Sequence, residues 1–154
     1  MKHVLFLCSG NTCRSPMAEA IARDIFSKNE MDIKVSSRGI YALQGESVSK
    51  NAALVMNNMG IDISSHTAKR IAFTDIDEAD FIFTMTKSHK EFIETMLSYG
   101  VNKAFTIGEY SGHDKDIHDP FGGDINHYTV CAAELKELIT FIADRLLKGA
   151  EGLN

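Results

Sequence analysis

The stretch Val4-Leu5-Phe6-Leu7-Cys8-Ser9-Gly10-Asn11-Thr12-Cys13-Arg14-Ser15-Pro16-Met17-Ala18-Glu19-Ala20-Ile21-Ala22 decides the fold. Its apolar opening, Val4 to Leu7, reads as a buried strand. Its end reads as a helix with Pro16 in the first turn, where the missing N–H does no harm. Between them lies a short polar loop running into a helix N-terminus. Such a loop turns consecutive backbone N–H groups inward, and the helix dipole adds partial positive charge, so the concavity suits an oxyanion such as phosphate. Cys8 opens the loop as a nucleophile, and Arg14, six residues on, supplies a planar fork of donors. The combination points to covalent phosphoryl transfer.

A thiol attacks as its thiolate. Beside Arg14 and a helix N-terminus, the Cys8 pKa is expected to fall well below the free value of about 8.5. Arg14 is expected to bind two phosphoryl oxygens while the amides of Ser9, Gly10, Asn11, Thr12 and Cys13 take the rest. Ser15 is expected near the sulfur, holding the thiolate as a leaving group in a second step. Asn11 suits the left-handed backbone region, and its side-chain amide can brace the loop. Asp119, in His118-Asp119-Pro120-Phe121-Gly122-Gly123, is the best candidate for the acid that a leaving group needs. The same residue also reads as an Asx-turn ahead of the last helix, and spacing alone leaves the two open.

Outward from this stretch, apolar runs alternate with helical patterns, as in β-α-β units that build a parallel sheet. Strands are predicted at His3–Leu7, Ile33–Ser37, Phe81–Thr84 and Ala104–Ile107. Helices are predicted at Ser15–Lys28, Ser47–Met59, Ser88–Tyr99 and from about Asn126 to Leu147. The expected fold is therefore a small doubly wound α/β sandwich, four parallel strands with helices on both faces. Ligands in such folds bind at the carboxyl ends of the strands, where the Cys8 loop lies.

Length and composition narrow the class. The 154 residues are expected to form one domain, and 44% hydrophobic content is ordinary for a globular chain. The longest apolar runs are too short to cross a bilayer, and no signal peptide is expected, because Met1-Lys2-His3 leads straight into a strand. Three cysteines without framework spacing suit a reducing cytoplasm. A net charge of -5 gives no support for a nucleic-acid partner, and no basic run suggests membrane docking.

These residues resemble the low-molecular-weight protein tyrosine phosphatases over nearly the whole chain. The resemblance is carried by Val4 to Cys8 with Arg14-Ser15-Pro16-Met17-Ala18-Glu19-Ala20, by Ser64-Ser65-His66-Thr67-Ala68 and by Asp119-Pro120. It implies a Rossmann-like fold, a cysteinyl-phosphate intermediate on Cys8, phosphate held by Arg14 and the loop amides, and Asp119 as acid and then base. It implies no metal and no cofactor. Asn11, Ser15, Ser37 and His66 match the family's loop-bracing network, and Cys13 matches a second loop cysteine that can form a reversible disulfide with the nucleophile. Implied partners are phosphorylated proteins, with inorganic phosphate as product and inhibitor, and the chain is expected as a monomer or weak dimer.

Within the family, Thr12, Phe121-Gly122-Gly123 and Met85-Thr86-x-x-His89-Lys90 look similar to the protein-arginine phosphatase branch. Eukaryotic-type members carry a bulky aliphatic residue at the position of Thr12 and two aromatics after Asp-Pro; here Phe121 is the one aromatic expected on the substrate side. A hydroxyl on the pocket floor can place a water or a guanidinium nitrogen where a methyl could not. Arg38 departs from the family's usual alanine and is expected to set a positive charge near the pocket rim. The alternatives are a phosphotyrosine phosphatase, an arsenate reductase and a non-catalytic phosphate-binding module. Residues 79–110 lack the relay cysteines of the reductase, and the loop lacks the glycine patterns of nucleotide binders. The run from His113 to Asp119, with Asp124 and His127, offers imidazole and carboxylate that suit Zn, Mn or Fe, but reads as a solvated charged segment. Cys131 reads as core packing on the last helix.

Overall fold

The computed structural model describes residues 1–151. Strand β1 (Lys2–Cys8) is followed by α1 (Arg14–Lys28), β2 (Ile33–Gly39), α2 (Lys50–Asn58), α3 (Phe73–Glu78), β3 (Phe81–Thr84), α4 (Lys87–Glu94), β4 (Ala104–Thr106), α5 (Ile107–Ser111) and α6 (Ile125–Glu151). The strands form one parallel sheet in the order β2-β1-β3-β4. From β1 the chain crosses to one side to build β2 and later to the other to build β3. The carboxyl end of β1 is therefore the topological switch point, where open α/β sheets hold their ligands.

β1 is central and its residues Val4 to Leu7 are fully buried. Val4 and Phe6 face a layer built from α1, α2 and α6, with Met17, Ile21, Met56, Leu135 and Ile139. Leu5 and Leu7 face the opposite, smaller layer, with Ile76, Ile82 and Ile93. The period-2 alternation of an extended chain thus feeds two cores at once, which explains why Val4 to Leu7 are apolar without a break.

The predicted α2 and α4 are both shortened. α2 begins at Lys50, because Ser47 is held in an isolated bridge to Thr67 and the Ser49 N–H donates to Thr12 O at 2.9 Å. These tertiary bonds keep 47–49 extended. α4 runs from Lys87, with Thr86 Oγ1 accepting the His89 N–H, and it ends at Glu94. Beyond it the chain tightens into three-residue turns at Thr95, Met96 and Leu97, and the Thr95 hydroxyl donates back to Phe92 O. Two short helices, α3 and α5, have no expected counterpart, and at six and five residues they are too brief for a periodic signal. Thr106 ends β4 by capping α5, one residue before the predicted strand end. α6 extends four residues past the predicted Leu147.

Candidate active site

Residues 9–13 connect the end of β1 to the start of α1, and a single asparagine organises them. Asn11 is fully buried and sits at φ 57°, in the left-handed region. Its Nδ2 donates to Ser15 Oγ at 2.8 Å and Ser37 Oγ at 3.0 Å, while its Oδ1 accepts the Lys69 N–H at 2.9 Å. One end of the amide meets two hydroxyls and the other a backbone N–H, so its orientation is determined. The Asn11 carbonyl pairs with His66 Nε2 at 2.9 Å. Three segments, α1, β2 and the stretch from His66 to Lys69, thereby clamp one residue of the loop. Gly39 lies against its back: a Cβ there would stand 2.7 Å from Ser9 O and 2.9 Å from Asn11 N, so only glycine lets β2 approach so closely.

The Cys8 sulfur lies 2.8 Å from Ser15 Oγ and accepts the Asn11 N–H at 3.2 Å. Ser15 Oγ already accepts from Asn11, so its one proton goes either to the sulfur at 2.8 Å or to Arg38 O at 3.5 Å, and the sulfur is the nearer. Burial pushes the Cys8 thiol up from its ordinary value, while hydrogen bonds from Ser15, the Arg14 charge and the Asn11 N–H pull it down. The upward direction reverses the lowering expected from sequence. That expectation counted the arginine and the helix terminus but not the desolvation of a thiol this deeply enclosed. Part of the arginine's charge is also shared. Its Nη1 donates to Ile117 O at 3.0 Å and its Nη2 lies 3.4 Å from Asp119 Oδ2.

Cys8, Gly10, Asn11, Thr12, Cys13 and Arg14 line a cavity of about 200 Å³ together with Glu46, Asp119 and Phe121, which come from outside the loop. Asp119 Oδ1 accepts the Phe121 N–H at 3.1 Å, while Oδ2 faces Arg14. The Asx-turn reading of Asp119 holds, and it leaves the second oxygen facing Arg14 in the cavity. Phe121 is 78% exposed beside the opening. Ser9, Ser37 and His66 do not line this cavity; they bear on the loop from outside it.

Arg38 is a correction. It does not line this cavity; its Nη2 pairs with Asp75 Oδ1 at 3.1 Å, and it borders a separate depression with Glu19, Ser65 and Lys69. Alternation along β2 explains the placement: Ser37 reaches the loop, and the next side chain points away.

Several residues around the loop were not assigned a role from sequence. His89, at the start of α4, is buried and its Nε2 lies 2.9 Å from Ser9 Oγ. Burial lowers its pKa to about 4, helped by Arg14 and opposed by Asp116 and Asp119, so its ring is neutral at pH 7. The Tyr128 hydroxyl lies 3.6 Å from Cys13 Sγ, tying α6 to the loop. Glu46 completes the cavity wall. A helical stripe marks Tyr128 only as core, nothing local distinguishes Glu46, and the resemblance over Met85-Thr86-x-x-His89-Lys90 picks out His89 without giving it a role.

All three cysteines are free thiols, and burial pushes Cys131 up to about 12 within the α6 core. In the polar segment, His127 Nδ1 pairs with Asp124 Oδ1 at 2.9 Å on an exposed turn. Among the described residues, no three His, Cys, Asp or Glu side chains converge to hold a metal ion, and no helix is long and apolar enough to cross a membrane.

A family model described as low molecular weight phosphotyrosine protein phosphatase matches residues 3–151. A protein-arginine-phosphatase of Geobacillus stearothermophilus is 38% identical over 144 residues, covering 93% of this chain and 95% of that protein. A low molecular weight protein-tyrosine-phosphatase, PtpB, of Staphylococcus epidermidis is 36% identical over 136 residues, covering 88% and 93%. Among solved structures, a mutant of the YwlE arginine phosphatase bearing a phosphorylated active-site serine superposes with a TM-score of 0.90 at 33% identity, covering 95% of this chain and 96% of that one.

Proposed function

From the premise that the chain belongs to the low molecular weight phosphotyrosine protein phosphatase family, as a cysteine-dependent protein phosphatase, we propose that it hydrolyses phosphoarginine in proteins through a phosphocysteine formed on Cys8. The observation that carries the chemistry is one cavity lined by Cys8 and Arg14 of the same loop and by Asp119, with Asp119 Oδ2 3.4 Å from Arg14 Nη2.

In the first step the Cys8 sulfur, as thiolate, attacks phosphorus. The bond from phosphorus to the leaving nitrogen breaks, and Asp119 gives that nitrogen a proton. Arg14 and the loop amides hold the three equatorial oxygens, which carry the charge of the loose transition state. In the second step water attacks phosphorus and loses a proton to Asp119, and the sulfur leaves as thiolate against the Ser15 hydroxyl. Inorganic phosphate is released and the thiolate is restored. All these steps use this chain's own side chains, with no cofactor.

The arginine assignment rests on Thr12. It puts a hydroxyl rather than an aliphatic wall in the cavity, and Arg38, the cation that would have opposed a guanidinium, is turned away toward Asp75. A relative named for the same substrate adds support. Three free thiols suit a reducing cytoplasm, and phosphorylated proteins are the partners this reading requires.

The test is kcat/KM on matched phosphoarginine and phosphotyrosine peptides, for wild type and Thr12→Ile. Wild type is expected to favour phosphoarginine, and the variant to move the ratio toward phosphotyrosine by about ten- to a hundred-fold. A wild-type preference for phosphotyrosine would replace this reading with the tyrosine one.

A further inference from the structure

The geometry points to Glu46 as a specificity residue, whose carboxylate receives the guanidinium of phosphoarginine at the mouth of the Cys8 cavity. This inference rests on the phosphoarginine reading above and adds to it the charge that reads the leaving group.

The first observation is position. Glu46 lines the cavity together with Asp119 and Phe121, outside the loop amides that suit the phosphoryl group. A phosphoryl group on those amides would leave its leaving group beside these three residues. The second is anchorage. The Glu46 N–H donates to Leu43 O at 3.0 Å, its carbonyl accepts the Ala68 N–H at 2.8 Å, and three residues on, the Ser49 N–H bonds Thr12 O. An exposed side chain thus projects from a backbone held on both sides and registered against the phosphate loop itself.

The third observation is charge. The carboxylate of Glu46 has no hydrogen-bond or ion-pair partner among the described residues, whereas Asp119 faces Arg14, and Arg38 is engaged by Asp75. Arg14 is the one cation lining the cavity, and the phosphoryl oxygens claim it. A phenol arriving on the phosphate brings no positive charge and meets an unpaired carboxylate. An N-phosphoguanidinium brings a delocalised positive charge and coplanar N–H donors next to phosphorus, the geometry a carboxylate pairs with best. Glu46 therefore favours one leaving group and disfavours the other with the same atoms.

The experiment compares wild type, Glu46→Gln and Glu46→Lys on matched phosphoarginine and phosphotyrosine peptides at low and high salt. Glu46→Gln preserves shape and removes charge. It is expected to lower kcat/KM on phosphoarginine about ten-fold, mainly through KM, and to raise kcat/KM on phosphotyrosine. Glu46→Lys should go further; the Gln variant should weaken the salt sensitivity of the wild-type KM on phosphoarginine, and the Lys variant should reverse its sign, since salt then screens a repulsion. If wild type prefers phosphoarginine and Glu46→Gln keeps the same ratio, the Glu46 assignment is overturned while the substrate reading stands. If wild type does not turn over phosphoarginine, the substrate reading fails and this inference falls with it.

Discussion

Arg14 Nη2 and Asp119 Oδ2 lie 3.4 Å apart, a buried guanidinium facing a half-exposed carboxylate across the mouth of the cavity. The two are held by different means. Arg14 is fixed by Ile117 O, and Asp119 by the turn that it caps at Phe121. An incoming oxyanion competes with the carboxylate for the same donors.

Removing that competitor separates binding from catalysis. Asp119→Ala is expected to bind inorganic phosphate several-fold more tightly, read as its inhibition constant, while kcat falls steeply. The fall should be far larger for poor leaving groups than for good ones, since only the poor ones need the proton. Equal losses across aryl phosphates of differing leaving-group pKa would show that Asp119 is not the acid.

Ser15→Ala deletes the hydroxyl 2.8 Å from the Cys8 sulfur. Since hydrogen bonding from Ser15 is the largest influence pulling that thiol down against burial, the variant's thiol is expected to titrate higher than wild type. The rate of Cys8 alkylation against pH reads this directly, and the midpoint should move upward. An unmoved midpoint would mean that the loop amides alone set the thiol. Cys131, buried and pushed up to about 12, should not be alkylated in the folded protein over the same range.

His89 gives stability a pH dependence of known sign. Its folded pKa of about 4 lies below the unfolded value of about 6.5. Above pH 6.5 the ring is neutral in both states and contributes nothing. Between 6.5 and 4 the unfolded chain takes up a proton that the folded one refuses, so stability falls as pH falls, by roughly 3 kcal/mol at most. His89→Gln can keep a bond to Ser9 and lacks this titration. The wild-type and variant unfolding curves should therefore converge or cross as pH drops from 7 to 4, whereas a constant gap would contradict the assigned titration.

The architecture was largely legible because β1 and its loop are locally self-consistent. Val4 to Leu7 are apolar on both faces, Asn11 tolerates the left-handed backbone, and Pro16 fits a first helical turn. What escaped was set by distant partners. Ser47 and Ser49 look like the start of α2 until Thr67 and Thr12 hold them extended. Arg38 looked like a rim charge until strand alternation turned it to Asp75. Glu46 and His89 reach the site from loops and helices that only the folded sheet brings together, and Gly39 lies two residues beyond the predicted strand end at Ser37, its close approach to the Asn11 backbone visible only in the fold.

Oxidation is expected to be reversible. Cys13 lies on the same loop as Cys8, its sulfur 3.6 Å from the Tyr128 hydroxyl. Mild peroxide should inactivate the enzyme through a sulfenic acid on Cys8, which condenses with the Cys13 thiol and releases water, and dithiothreitol should restore activity. Cys13→Ser should make the loss harder to reverse. Peptide mapping that finds no Cys8–Cys13 disulfide would contradict this route.

The central claim is that Cys8 itself carries the phosphoryl group, and trapping tests it most directly. Asp119→Ala, given an aryl phosphate with a good leaving group and quenched in acid, still undergoes the first step while lacking the base for the second. Mass spectrometry of its peptides should then find the added phosphoryl group on Cys8, and Cys8→Ala should be both unlabelled and inactive. A phosphoryl group on any other residue, or turnover by Cys8→Ala above about a hundredth of wild type, would contradict the account.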